Sequence, residues 1–90
     1  MCRNIKTLFN FDPPATTDEV NASAIQFVRK LSGFNKPSKA NEEAFELAIE
    51  RVAVAAQEML NSMVTNAPPR DREVEAERAR ERSRVRFGSA

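Results

Sequence analysis

Ninety residues with a net charge of +1 are enough for one small domain that buries only about 60–65% of its unfolded surface. One cysteine and no histidine exclude an intrachain disulfide, the usual zinc ligand sets and histidine-based catalytic triads. No apolar run approaches the ~20 residues of a membrane span and the start lacks a signal-peptide h-region, so the expected location is cytoplasmic.

The neutral total hides an uneven layout. Residues 1–40 carry six basic and three acidic groups, residues 41–69 one arginine and five glutamates, and residues 70–90 seven arginines and five acids. An acidic middle therefore lies between two basic ends.

The first segment, residues 1–15, carries Ile5, Leu8, Phe9 and Phe11 before Asp12-Pro13-Pro14 ends any regular element. It reads as a short helical turn or an extended arm that lays its aromatics on the core. A short strand is the alternative, although no partner strand is evident.

The first helix is predicted over 17–32. Thr16 and Glu19 have capping-box spacing, and Asp18 and Glu19 sit well at the positive end of the helix dipole, as Arg29 and Lys30 do at the negative end. Val20, Ala24, Phe27, Val28 and Leu31 form one face. Gly33 supplies a left-handed stop. In the loop that follows, Pro37 disfavours helix at Lys36, and Ser38 or Asn41 can cap the next helix.

The second helix is predicted over 39–65, with a bulky stripe of Phe45, Ile49, Val52, Ala56, Leu60 and Met63. A second strip of small or flexible residues, Ala44, Ala48, Ala55 and Met59, lets another backbone come close. Apolar on two sides, this helix is expected at the centre of the fold. It outreaches the first helix, and the overhang calls for cover from the arm, a third helix or a second subunit.

Asn66-Ala67-Pro68-Pro69 breaks the chain. The third helix is predicted over 70–86, with twelve charged residues of seventeen. Glu75–Arg78, Glu77–Arg80 and Glu81–Arg84 can pair at i,i+3. Only Val74, Ala76, Ala79, Val85 and Phe87 are apolar near it, so it gains little from packing. The expected fold is a small all-α domain over 1–88: a helical hairpin, a third charged helix and an N-terminal arm packed on the core. Residues 89–90 are expected to be a disordered tail.

Three features carry candidate chemistry. Cys2, with Arg3 and Lys6 nearby to favour its thiolate, is a candidate reactive thiol, but no histidine is present to serve as its base. The 29–39 loop offers Arg29, Lys30, Lys36 and Lys39 with no acid, and the amides near Ser38 can hold an anion or a nucleic-acid phosphate. Arg80 and Arg84 of the arginine-rich end belong to the same reading. Glutamates Glu42, Glu43, Glu46 and Glu50 follow the loop and repel a duplex, and the interleaved acids of the third helix point to a salt-bridged exposed face. The Glu42–Glu50 series reads as a solvated helix face rather than a magnesium or acid–base site. No metal site and no cofactor are expected.

The chain resembles a family of small bacterial proteins catalogued as domain of unknown function 2277. The likeness rests on Met1-Cys2-Arg3-Asn4-Ile5 with Leu8-Phe9-Asn10-Phe11, on Pro13-Pro14-Ala15-Thr16, and on Val28-Arg29-Lys30 with Ser32-Gly33-Phe34. It continues through Lys36-Pro37-Ser38 with Ala40-Asn41 and through Thr65 to Glu75. It implies a bacterial origin and a whole-chain domain, and no activity. The leading expectation is a non-enzymatic binding or adaptor module that meets a protein partner or a second copy of itself. A nucleic-acid-associated protein ranks second and a thiol-based activity at Cys2 third.

Overall fold

The computed structural model describes residues 5–87, so Cys2 and the expected tail at 89–90 lie outside the described residues. Its elements run β1 (Phe11–Asp12), α1 (Thr17–Ser32), a 3-10 turn (Lys39–Asn41), α2 (Glu42–Ser62), β2 (Arg70–Asp71) and α3 (Arg72–Phe87). The chain is mainly helical, and α1 and α2 pack as a hairpin.

Helix α1 has the predicted bounds because its signals are local. The Glu19 amide donates to Thr16 Oγ1 at 3.2 Å, and the Thr16 amide donates to the Glu19 carboxylate at 2.9 Å. At the other end Gly33 takes φ 78°, and its amide donates to the Arg29 carbonyl at 2.9 Å. Glycine adopts that left-handed conformation without steric cost.

Helix α2 is shorter than expected at both ends. Residues 39–41 form a 3-10 turn closed by the Asn41 amide on the Ser38 carbonyl at 2.9 Å. Neither candidate cap acts on the helix: Asn41 Nδ2 donates to Ser38 Oγ at 2.9 Å instead. At the far end Met63 is already extended, and no basic residue in the last turn offsets the dipole. Two β-branched residues, Val64 and Thr65, then lead into the Asn66–Pro69 breaker.

The all-α expectation is corrected by a small parallel pairing of β1 with β2, in register Phe11 to Arg70 and Asp12 to Asp71. The Arg70 amide donates to the Asn10 carbonyl at 2.8 Å. Arg70 and Asp71 are not the start of α3 because Asp71 is its cap: its carboxylate accepts from the Val74 amide at 3.0 Å. A capping residue is extended, which leaves this dipeptide free to pair as a strand. Asn10 takes φ 63°, a conformation that asparagine tolerates well, and its Nδ2 donates to the Pro68 carbonyl at 3.2 Å. The arm is thus pinned to the 66–71 segment.

The core is small. Val20, Ala24 and Ala53 are buried together, with Leu8, Ile49, Val52, Ala56 and Leu60 packed around them, and Val28 is buried further along α1. Two expectations about faces fail here. Phe27 and Leu31, placed on the buried stripe of α1 by their spacing, are exposed. Helix α2 buries one face only: Ala44, Ala55 and Met59 of its second strip are open to solvent, as are Leu47 and Val54. Among the described residues the hairpin has no third layer on that side, so α2 is not a central helix there.

Candidate functional site: an apolar cleft beside a basic loop

The end of the hairpin where α1 stops and α2 starts is open. The α1 face continues past its buried Val28 to Phe27 and Leu31, and the chain then turns at Gly33 and presents Phe34. Phe27 and Phe34 are each 44% exposed and Leu31 is 72% exposed. Opposite them, α2 offers Ala44, Phe45, Ala48 and Val52. Between lies a cleft of about 370 Å3. Its width follows from the small side chains at 44 and 48, which leave the large α1 residues without matching contacts.

The basic loop joins the two helices at this end and lends Phe34 to the cleft, but none of its cations lines it. Arg29, Lys30, Lys36, Ser38 and Lys39 are all exposed. Among the described residues none of the four cations makes an ion pair. Ser38 Oγ is engaged by Asn41, and the amides expected to cradle an anion begin only a three-residue turn.

The arginines of α3 are a separate group. Arg80 pairs with Glu77, and Arg84 pairs with Glu81 at 3.2 Å and with Glu77 at 3.7 Å. Arg78 meets Glu75 at 3.5 Å. The three expected i,i+3 pairs are present, and Arg78, Arg80 and Arg84 each have their charge offset locally. Glu42, Glu43, Glu46 and Glu50 are exposed. Among the described residues no group of three His, Cys, Asp or Glu is placed to hold a metal ion. Likewise, no described helix is long and apolar enough to cross a membrane.

A second assembly was not visible in the sequence. Glu19 caps α1 and also receives Arg72 from the first turn of α3, with Lys6 of the arm 4.0 Å away. The bond from the Thr16 backbone amide is the largest influence that holds its carboxyl below the ordinary value of 4.5, followed by the bond from Arg72. Arg70 and Arg72 each place a guanidinium 5.8 Å from the centre of the Phe11 ring, within cation–π range. A pocket of about 270 Å3 lies here, bordered by Lys6, Leu8, Glu19, Arg72, Ala76 and Ala79. Its charged groups pair across three segments, with only Arg72 Nε buried and without a hydrogen-bond partner among the described residues, so we read it as the clasp that ties the arm and α3 to α1. The sequence signal was the unusual Pro-Pro-Arg-Asp-Arg run, but its partners lie more than fifty residues away.

The two assemblies differ in kind. The clasp pairs its carboxylate with two cations, whereas the cleft presents apolar side chains outward. A family model described as Uncharacterized conserved protein (DUF2277) matches residues 1–78, and the chain belongs to that family. No curated protein and no solved structure matches it.

Proposed function

We propose that the chain is a non-enzymatic binding or adaptor module of a bacterial cytoplasm, working through the open face at the α1–α2 end. The observation that carries this reading is the exposure of Phe27, Leu31 and Phe34 around a cleft of about 370 Å3. Large apolar side chains clustered at a cleft cost free energy in water, and such patches mark contact surfaces. The occupant is a protein surface, either another chain or a second copy of this one. The test is capture from a bacterial lysate with the wild-type chain and with Leu31→Glu, which alters only a side chain that is already exposed. Loss of the captured protein with Leu31→Glu is expected. Equal capture by both chains counts against this face.

A second reading places a nucleic acid on Arg29, Lys30, Lys36, Ser38 and Lys39, supported by the absence of ion pairs at those cations among the described residues. Arg80 and Arg84 contribute less to it, because Glu77 and Glu81 already offset them. Binding of labelled RNA that weakens steeply with salt supports this reading, and no binding at low salt removes it.

A further inference from the structure

We infer that the open face of α2 is occupied by a second copy of this chain, packed antiparallel across a two-fold axis. The inference rests on the binding-module reading and names its partner. Along α2, Phe45, Ala48, Val52, Ala55 and Met59 recur at spacings of three, four, three and four. That is the seam pattern by which one helix lies along another. The flank of α2 bearing Gln57, Leu60 and Asn61 meets the arm, and the face bearing Ile49, Val52, Ala53 and Ala56 meets α1. The side bearing Ala44, Ala55 and Met59 is left open by the described residues: Ala44 and Ala55 are exposed and Met59 is 53% exposed.

Shape selects the orientation. Within the seam the small Ala48 lies toward the start of α2, at the cleft, and the bulky Met59, 53% exposed, lies toward its end. A parallel copy sets methionine on methionine and alanine on alanine. An antiparallel copy sets Met59 over the partner's Ala48, twice by symmetry. The same register brings Val52 against the partner's Ala55. Methionine is flexible enough to fill a cleft of irregular outline, and the self-complementary pairing closes at two subunits.

Charge selects it as well. In the heptad set by this seam, Arg51 and Glu58 occupy equivalent flanking positions seven residues apart. Across an antiparallel pair Arg51 of each copy faces the partner's Glu58, which gives two opposite-charge pairs. A parallel pair does not bring these two groups together in that way. Among the described residues neither Arg51 nor Glu58 makes an ion pair within the chain.

The test is the mass of the full chain by light scattering at tens of micromolar, with circular dichroism as the control for folding. The wild-type chain is expected at twice its 10.1 kDa. Ala55→Glu, at an exposed position, is expected at the monomer mass with unchanged helicity. Arg51→Glu is expected to weaken the dimer about tenfold or more, and Arg51→Glu combined with Glu58→Arg to restore it. A monomeric wild-type chain overturns the inference, as does an Ala55→Glu chain that remains a dimer or a double reversal that fails to restore association. A monomer that still captures a lysate protein through Leu31 overturns the second copy and leaves the binding-module reading standing. A monomer that captures nothing through Leu31 overturns both.

Discussion

The guanidinium of Arg72 closes on the carboxylate of Glu19, fifty-three residues earlier in the chain. The same carboxylate caps α1 through Thr16, so one side chain ends a helix and holds a second helix to it. Glu19→Ala removes both functions. We expect a loss of about 1–2 kcal/mol in urea unfolding, and about 1 kcal/mol for Arg72→Ala, which spares the cap. Equal effects from the two substitutions contradict the double role of Glu19.

The pH dependence of this clasp has a defined sign. The Glu19 carboxyl is held below its ordinary value of 4.5, chiefly by the Thr16 amide and then by Arg72. Its contribution is therefore fully present above that ordinary value and fades as pH falls toward the lower folded-state value. The stability difference between wild type and Glu19→Gln is expected to be constant near neutrality and to shrink below about pH 4.5. A difference that grows on acidification contradicts this account.

Two residues of one predicted stripe are expected to behave differently. Val20 is 2% exposed and Leu31 is 72% exposed. Val20→Ala should cost about 2 kcal/mol through lost burial and a residual cavity. Leu31→Glu should change stability by less than about 0.5 kcal/mol, because the position already faces water. Comparable losses at both positions in denaturant unfolding contradict the assignment of Leu31 to the surface.

Helix α3 is tied down at its first turn and by β2, and Glu73, Val74, Ala76 and Glu77 beyond Arg72 are exposed. Its amides should exchange with deuterium much faster than those of α1, with what protection α3 has concentrated near Glu75, where its intrahelical bonds begin. Protection in α3 equal to that of α1 means that a further partner covers it.

The helices were legible where their signals were local. Thr16, Glu19 and Gly33 fix both ends of α1 by short-range bonds, and the i,i+3 pairs of α3 need only one turn of helix. The small sheet was not legible, because Asn10 and Arg70 are brought together by the fold. Nor did periodicity decide which apolar side of α2 faces inward. The stripes containing Val52 and Ala55 are adjacent, and Ala53, on neither expected strip, proved the best buried residue of the helix. Phe27 and Leu31 were assigned to the core by spacing, but α2 opposes them with alanines too small to cover them. That mismatch made the cleft, and composition alone carries no trace of it. Of the sequence-derived site residues, the 29–39 cations are exposed without lining the cleft, while Arg80 and Arg84 were taken up by their own helix.

The claim that the open side of α2 is a contact surface is tested most directly by peroxide oxidation of Met59, which is 53% exposed in the single chain. Thioether oxidation follows accessibility, so its rate reports whether that side is covered. The rate in the purified chain at tens of micromolar is to be compared with the rate at high dilution, under the same peroxide concentration. Oxidation at least several-fold slower in the concentrated sample is predicted. Equal rates would mean that the face stays bare, and would contradict a second copy on it.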